Sequence, residues 1–267
     1  MPELPEVEIM TRNIQKWFDK RTIVIDIVDE RWLKQGSIQT IQNKIVERVT
    51  RRAKYTLVHF HDDVLILHFR MTGKIIPHTD PMKKKQRKER VFFHCADEEQ
   101  RDSYVFVDSR CLGEGRILSK SEISDFFKNI GLEPWPEKLS GALLQKRFSV
   151  KKHSPIKNAA LDQNIIAGIG NILACESLYK SRISPLKKVS DLTEHEWSLW
   201  SENIVATINL IIDKESSDEI VYVNEGGENI FEVYAREGED CSTCSDTIQR
   251  IKQSGRSTFY CPTCQKI

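Results

Sequence analysis

Residues 1–10 read MPELPEVEIM, and this stretch predicts where the first helix starts. A proline is tolerated in the first turn of a helix, because the N–H that it lacks would have no partner there. Pro5, followed by Glu6 and Glu8 near the positive end of the helix dipole, therefore predicts a helix start. The helix then continues with one apolar face, which is formed by Val7, Met10, Ile14, Trp17 and Phe18. A helix start does not explain Pro2 and Glu3.

The stretch after this helix is rich in short β-branched and aromatic runs, which predict strands. They are Thr22–Val28, Lys44–Val49, Tyr55–Phe60, Val64–Phe69, Val91–Cys95 and Tyr104–Val107. His61-Asp62-Asp63 is a plausible turn between two of them. Short strands with local connections are typical of an antiparallel sandwich or barrel.

The pattern becomes helical after Gly131–Pro136, a stretch that reads as a linker between domains. The predicted helices are Ala142–Phe148, Ile156–Gln163, Ile172–Lys180 and Glu194–Ile212. A strand-like hairpin is expected near Ile230–Tyr234, ahead of a cysteine-rich end. The sequence therefore predicts an α+β fold, with strands first, helices second and a small hairpin last.

The cysteines are unevenly placed. Cys95, Cys111 and Cys175 stand alone and are expected to be buried or half-buried. The others form two CxxC pairs separated by 16 residues: Cys241, Cys244, Cys261 and Cys264. This spacing is typical of a structural zinc site, in which four thiolates leave no open position for a reactant. Two disulfides or a redox dithiol are the alternatives, and an acidic N-terminus that is unlike a signal peptide favours zinc.

Composition leaves a polyanionic partner open. The net charge is only +1 over 267 residues, so total charge neither requires nor excludes nucleic acid. Three basic runs stand out: Arg51–Lys54, Lys83–Arg90 and Lys146–His153. Each alone is typical of a solvated loop, but three on one chain weaken that interpretation. No apolar run approaches the ~18 residues of a membrane span, so we expect a cytoplasmic or nucleoid-associated protein without a membrane partner.

A second unusual phrase runs from Asp162 to Ile172 and contains Gly168 and Gly170 within an apolar stretch. Two glycines there end one helix and open another, whose exposed backbone N–H groups can bind phosphate. A plain connection between helices is the alternative interpretation. The neighbouring Lys152 and Lys157 favour a polyanion.

Three phrases together resemble the formamidopyrimidine-DNA glycosylase / endonuclease VIII family of base-excision repair enzymes. They are Pro2-Glu3-Leu4-Pro5-Glu6-Val7-Glu8, Ala167-Gly168-Ile169-Gly170-Asn171-Ile172 and the closing residues 255–265. The resemblance is closer to the formamidopyrimidine branch than to the endonuclease VIII branch, because of the run Arg51-Arg52-Ala53-Lys54-Tyr55. The resemblance implies a β-sandwich domain over 1–133, a helix-two-turn-helix domain over 134–228 and a zinc finger over 229–267. It also implies a monomer that acts on double-stranded DNA and holds one structural zinc ion.

The resemblance explains Pro2, whose amine becomes the nucleophile once the initiator methionine is removed. An α-amine has a pKa of about 7.7–8.0 in peptides, so a useful fraction is neutral at working pH. Its attack on the sugar C1′ forms an iminium, which is an electron sink. Glu3 is implied as the general acid on the sugar ring oxygen, and Glu6 as a supporting carboxylate. Lys54 is implied in β-elimination, and Arg256 of the finger in phosphate binding and δ-elimination.

The same resemblance implies residues that hold the DNA. Met71 fills the gap left by an everted nucleotide, and Arg110 faces the orphaned base. Lys152, Lys157 and Asn171 correspond to positions that contact phosphate. Such contacts are needed because a base inside a duplex must be rotated out, at a cost of about a few kcal/mol in lost stacking. Without the motif, Met71 would be read as an ordinary core residue.

The sequence departs from the family pattern at three places. Leu112 stands where an aromatic wedge is usual, and Lys88 or a neighbour stands in place of a histidine near the DNA backbone. The segment Lys214–Gly227 is shorter and more acidic than the family segment that covers the flipped base. We therefore expect efficient cleavage at abasic sites, slower removal of ring-opened purines or another damaged base, and poor removal of 8-oxoguanine.

Two other functions compete with a bifunctional glycosylase and abasic-site lyase. One is a DNA-damage-binding protein of the same fold without base excision. The other is an enzyme of small-molecule metabolism that uses an N-terminal proline, which the zinc finger disfavours. A protein that only binds DNA needs neither Pro2 nor Glu3, so their presence favours the enzyme.

Overall fold

The computed structural model describes residues 2–78, 88–97, 101–217 and 229–267. Two sequence features lie partly outside these ranges: the basic run Lys83–Arg90, up to Arg87, and the acidic segment, from Asp218 onward. The described residues fall into two compact units. The first holds the residues up to Lys128 together with 215–217, and the second holds 129–214 and 229–267. The domain limits inferred from the sequence stay a prediction, because one compact unit can contain two domains.

The first unit begins with α1 (Leu4–Phe18), which confirms the helix predicted from the opening residues. Pro5 lies in its first turn, and the Glu3 backbone N–H donates to Glu6 Oε2 at 2.8 Å. This bond satisfies a donor that the helix itself leaves without a partner. The predicted apolar face is buried in full: Val7, Met10, Ile14, Trp17 and Phe18.

The strands of the first unit follow α1. In chain order they are β1 (Thr22–Ile27), β2 (Leu33–Gln35), β3 (Lys44–Ile45), β4 (Arg48–Arg52), β5 (Tyr55–His59), β6 (Asp63–His68), β7 (Lys74–Pro77), β8 (Glu89–Ala96), β9 (Arg101–Val107) and β10 (Glu114–Ser119). Among the described residues they form two five-stranded sheets, ordered β3-β1-β8-β9-β7 and β2-β10-β6-β5-β4. The pairs are antiparallel as predicted, except that β2 and β10 run parallel. A short helix, α2 (Ile123–Phe127), ends the unit.

The predicted strand Lys44–Val49 is two strands, because the chain changes sheets within it. The Val46 N–H donates to the Arg21 carbonyl at 3.0 Å, next to the first sheet. The Glu47 N–H donates to the His59 carbonyl at 2.8 Å, on the second sheet. Each half of the predicted strand thus completes a different sheet.

An aromatic core lies between the sheets. Trp32 packs edge-on against Phe93 and Phe106, with ring centroids 6.3 and 5.7 Å apart, and Phe69 stacks on Phe106 at 5.7 Å. Aromatic side chains of this size contribute much of the buried apolar area of a core. The two layers therefore form the predicted sandwich.

The second unit is helical. Its helices are α3 (Gly141–Phe148), α4 (Ile156–Ala160), α5 (Asn171–Lys180) and α6 (Glu194–Glu215). Phe148, Trp197 and Trp200 form its aromatic centre, with ring centroids 5.3–5.8 Å apart. Within the ranges that the structure covers, no helix is long and apolar enough to cross a bilayer.

The suggested linker starts inside this unit. The Gly131 N–H donates to the Gln163 carbonyl at 2.8 Å, and the Leu132 N–H donates to the Ile165 carbonyl at 3.1 Å. A β-carbon on Gly131 would lie 2.4 Å from the Ile165 backbone, so only glycine fits there. The start of Gly131–Pro136 is therefore packed structure.

The prediction of a strand-like hairpin near Ile230–Tyr234 is wrong. Those residues form turns, and the backbone N–H groups of Glu232, Val233 and Tyr234 donate to the buried carboxylate of Glu176 at 2.9, 2.9 and 2.8 Å. Bonds to one carboxylate replace the ladder that a strand would need. The hairpin of the cysteine-rich end lies later, as β11 (Gln249–Gln253) and β12 (Arg256–Tyr260).

Candidate active site and nucleic-acid interface

The N-terminal residues form a buried acidic site in the first unit. Pro2 is buried, and Glu3 and Glu6 are each only 3% exposed. Burial raises the pKa of Glu6 to about 8, and the charges of Glu3 and Glu215 add to the shift. Burial also raises the pKa of Glu215 to about 7. Glu6 therefore holds a proton at neutral pH, and one buried carboxyl beside the N-terminal proline is neutral.

Lys54 lies in the two-residue turn between β4 and β5. Ala53 precedes it with a φ of +54°, the left-handed conformation that this tight turn requires. Arg51 steadies the turn, because its guanidinium donates to the Ala53 carbonyl at 3.0 Å and to Glu8 Oε2 at 2.9 Å. Since Glu8 belongs to α1, the turn that carries Lys54 is tied to the helix that carries Glu3 and Glu6.

Two loops bring exposed side chains of mixed character together on the first unit. Met71 and Leu112 are 39% and 45% exposed, and Arg110 is exposed beside them. The Arg110 guanidinium donates to Met71 Sδ at 2.9 Å. Met71 is thus a surface residue, and the alternative of an ordinary core residue is excluded. The pair can present an apolar wedge and a cation to one ligand.

Asp108 holds both of these loops, and sequence reasoning gave it no role. One carboxylate oxygen accepts from the Thr72 hydroxyl and from the Arg110 N–H at 3.1 Å. The other accepts from the Gly113 N–H at 2.6 Å and lies 3.6 Å from the buried guanidinium of Arg90. Asp108 is 1% exposed, so a buried side chain with three hydrogen-bond donors and a nearby guanidinium fixes the Met71 and Arg110 loops relative to each other.

Lys88 lies beside the same loops. Its carbonyl accepts from the Asp108 N–H at 2.9 Å, and the residue is exposed. The backbone of Lys88 is therefore hydrogen-bonded to Asp108, the residue that holds the Arg110 loop. This location is compatible with the phosphate contact expected from the sequence.

In the second unit, Gln163 shapes the glycine loop ahead of α5. Its amide donates to the Ile169 carbonyl at 2.8 Å and accepts from the Gly168 N–H at 3.0 Å. Gly168 has a φ of +79°, which only glycine adopts readily. The loop ends at Gly170, and α5 begins at Asn171, one residue before the predicted start at Ile172.

Asn171 and Lys157 both reach the zinc-finger hairpin. The Asn171 side-chain amide donates to the Ser257 carbonyl at 2.8 Å. Lys157 Nζ donates to Asn171 Oδ1 at 2.6 Å and to Thr258 Oγ1 at 2.7 Å, and lies 3.3 Å from the Ser257 carbonyl. These bonds hold the residues that immediately follow Arg256.

The position of Lys157 differs from the one expected. Its side chain has no solvent exposure, whereas a lysine that contacts DNA directly should offer its ammonium at the surface. The ammonium instead donates to a cluster of neutral acceptors under the hairpin, because a buried cation needs several hydrogen-bond partners. Lys152, by contrast, is exposed.

Arg256 occupies the tip of the hairpin. The turn residues Ser254 and Gly255 have φ values of +46° and +77°, as a two-residue type I′ turn requires. Arg256 follows directly, pairs with Gln253 and is exposed. A rigid turn thus presents one cation at the end of the finger.

The four cysteines of the two CxxC pairs converge as predicted. Their sulfur atoms all lie within 4.8 Å of one another, with Cys241–Cys264 at 3.8 Å and Cys244–Cys261 at 3.4 Å. Four sulfurs at about 2.3 Å from a tetrahedral Zn²⁺ would be spaced by about 3.8 Å. The donor set and spacing fit one structural zinc ion. The isolated Cys95 and Cys175 are buried and Cys111 is half-buried, as expected.

Three family models match the chain in order. They are the formamidopyrimidine-DNA glycosylase N-terminal domain over residues 1–115, the helix-two-turn-helix domain of the same enzyme over 130–220, and the zinc finger found in Fpg and IleRS over 238–267. A formamidopyrimidine-DNA glycosylase of Wolbachia from Brugia malayi is 34% identical over 278 residues, with 99% of this chain and 100% of the relative covered.

Solved structures agree with these matches. Lactococcus lactis Fpg in complex with DNA that contains an oxidized pyrimidine has a TM-score of 0.87 and 30% identity, with both chains covered in full. MutM in complex with DNA that contains carbocyclic 8-oxo-G has a TM-score of 0.85 and 30% identity, again with both chains covered in full. This chain belongs to the formamidopyrimidine-DNA glycosylase family, the base-excision enzymes that act on DNA as glycosylases and abasic-site lyases.

Proposed function

We propose that this chain removes damaged bases from double-stranded DNA and cuts the strand at the resulting abasic site through the amine of Pro2. The observation that carries the proposal is the N-terminal site, where Pro2 stands at the start of α1 with two buried carboxyls, Glu3 and Glu6. A capping box accounts for two acids at the start of a helix, but it does not require both carboxyls to be buried beside a proline, because burying a carboxyl costs free energy.

The proposed chemistry begins with attack of the neutral Pro2 nitrogen on the sugar C1′. The damaged base leaves with the electron pair of its glycosidic bond and takes up the proton that the Pro2 nitrogen loses, and Glu3 gives a proton to the sugar ring oxygen as the ring opens. The iminium then draws electrons from C2′, so that loss of a C2′ proton expels the 3′ phosphate. Lys54 assists this β-elimination, and Arg256 assists the δ-elimination that follows by binding the phosphate.

Glu6 supports this site as a neutral group. With its proton in place it adds no negative charge to the site, and its Oε2 accepts from the Glu3 backbone N–H at 2.8 Å. We assign Glu6 the role of positioning Glu3.

DNA binding would use both units. Met71 fills the space of the everted nucleotide, with Arg110 and Leu112 beside it. The exposed cations bind phosphates of the DNA backbone: Lys88, Lys152 and Arg256. Asn171 and Lys157 act on DNA through the hairpin that they hold. The protein would work as a monomer in the cytoplasm, on the nucleoid.

Lesion preference is proposed from the acidic segment Lys214–Gly227. Residues 215–217 of this segment belong to the first unit, where Asn13 Nδ2 donates to the Ser217 carbonyl at 2.7 Å and the charge of Glu215 acts on Glu6. A short acidic segment offers few side-chain donors to the carbonyl and ring edges of a purine. Abasic sites need no such donors, and we propose that they are the best substrates.

Borohydride trapping on a duplex with one abasic site tests the proposal. The parent protein should form a covalent adduct at Pro2, and Pro2→Gly should lose most strand cleavage while DNA affinity stays near the parent value. An uncleaved initiator methionine should act in the same way. Binding without any adduct in the parent would instead support a DNA-damage-binding protein.

A further inference from the structure

Tyr179 lies near the end of α5, with its hydroxyl among the first cysteine pair of the finger. The hydroxyl oxygen is 3.1 Å from Cys241 Sγ, 2.9 Å from Thr243 Oγ1 and 3.4 Å from Ser242 Oγ. The residue is 6% exposed and packs in one apolar cluster with Cys241 and Phe259. The contact therefore joins a helix to a metal ligand inside the second unit.

The donor and the acceptor of each hydrogen bond in this cluster can be assigned from the groups that take part. A zinc-bound Cys241 is a thiolate and can only accept, so the Tyr179 O–H must be the donor between them. The Ser242 hydroxyl donates to Glu232 Oε2 at 2.6 Å, which uses its single proton. Thr243 is then the group that donates to the Tyr179 oxygen, at 2.9 Å. The hydrogen bonds run in one direction, from Thr243 through Tyr179 to Cys241.

We propose that the Tyr179 hydroxyl stabilises the zinc site by donating to the Cys241 thiolate, and that it anchors the finger on α5 through this bond. Four thiolates around Zn²⁺ carry a net charge of −2, so each donor to a sulfur reduces their mutual repulsion. Outer groups that hydrogen-bond to metal ligands typically change metal affinity by about 10–100-fold. This positioning role does not depend on the base-excision chemistry.

Tyr179→Phe in the full chain tests the role, because it removes the hydroxyl and keeps the ring. Zinc affinity, measured by competition with a chromogenic chelator, should fall by about tenfold. Zinc release during titration with a mercurial should be faster by a similar factor. Tyr260→Phe is the matched control: its hydroxyl belongs to the same finger but donates to Gln249 Oε1 at 3.0 Å, so zinc affinity should not change.

Cobalt substitution separates the hydrogen bond from a loss of packing. A hydrogen bond lowers the energy of the sulfur lone pairs, so its removal should shift the thiolate-to-Co²⁺ charge-transfer band to longer wavelength. Tyr179→Phe should show this shift, and Thr243→Val, which weakens the donor rather than removing it, should show a smaller one. Equal zinc affinity in Tyr179→Phe and the parent, or an unmoved cobalt band in both variants, would overturn the proposal.

Discussion

Glu6 shows how burial sets the charge of a single residue in this protein. Its pKa rises from 4.5 to about 8, with burial as the largest cause and the charges of Glu3 and Glu215 as further ones. Glu215 shifts in the same direction, to about 7. Both carboxyls are therefore easier to protonate in the folded protein than in the unfolded chain.

This shift predicts the pH dependence of stability. Between pH 4.5 and about 8 the unfolded chain has lost the Glu6 proton while the folded protein keeps it. The free energy of unfolding should therefore fall as pH rises through this window and level off above it. Glu6→Gln, which mimics the protonated carboxyl, should make the dependence shallower. Urea denaturation at a series of pH values measures this, and an unchanged slope in Glu6→Gln would contradict it.

Asp108 allows a second prediction at this scale. Asp108→Asn keeps the shape of the side chain but replaces one carboxylate oxygen by an NH2 group. That group points at a donor from which the carboxylate now accepts a hydrogen bond. The substitution also removes the negative charge beside Arg90. A buried donor left without an acceptor costs about 1–3 kcal/mol, and the variant should lose about that much stability. The loops of Met71 and Arg110 should also loosen.

The loosened loops give Asp108→Asn a functional readout. Single-turnover base excision should slow, and discrimination between opposite bases should weaken, while the salt dependence of DNA binding stays unchanged. Asp125→Asn is the control, since Asp125 is 76% exposed and pairs only with Lys128 across one helical turn in the contacts described. Unaltered opposite-base discrimination in Asp108→Asn would show that the loops do not need this carboxylate.

Single residues were predictable where the signal is local, and unpredictable where their partners are distant in sequence. Arg256 follows a Ser-Gly turn, and the four cysteines carry their own spacing. Lys157 looked like a surface cation, but its partner Thr258 lies 101 positions later. Asp108 likewise depends on Thr72, 36 residues away, so its burial leaves no local signature.

Helices and strands were likewise predictable where the signal is local and unpredictable where distant residues decide the structure. The predicted start of α1 is correct, since a proline turn and an apolar stripe are local features. β10 was not predicted, because Gly115 and Arg116 interrupt its β-branched pattern. The glycine is required by tertiary packing: a β-carbon there would lie 2.3 Å from the Trp32 ring. The predicted helix Ile156–Gln163 ends early, at Ala160, because Gln163 is used to build the glycine loop.

The hairpin β11–β12 gives a prediction at the element scale. Arg256→Ala and Lys152→Met should each reduce the slope of log K against log salt by about 0.9, as expected when one phosphate contact is lost. Lys157→Met should weaken DNA binding without changing this slope, because its ammonium holds the hairpin and does not touch phosphate. Zinc content should be normal in all three variants. If Lys157→Met reduces the slope, Lys157 contacts phosphate directly, as first expected from the sequence.

At the scale of the whole molecule, lesion preference depends on what the chain can place over an everted base. The first unit offers the carboxyls of Glu3 and Glu6 and, from the acidic segment, that of Glu215. Neutral Glu6 and Glu215 lose their protons near pH 8 and 7, so this region gains negative charge as pH rises. A site that becomes more negative disfavours anionic groups of a substrate. Its carboxylates accept hydrogen bonds, whereas the protonated carboxyls could donate them.

We therefore predict an order of substrates. An abasic site should be cleaved fastest, because attack at C1′ needs no contact with a base. Ring-opened purines or another damaged base should follow, since the glycosidic bond of a ring-opened purine is already weak. Removal of 8-oxoguanine should be slowest, because it differs from guanine at few atoms and only a closed pocket can tell them apart. Single-turnover rates on matched duplexes measure the order, with Pro2→Gly as the inactive control on each. An 8-oxoguanine opposite cytosine that is processed as fast as an abasic site would mean that the short acidic segment does not limit recognition.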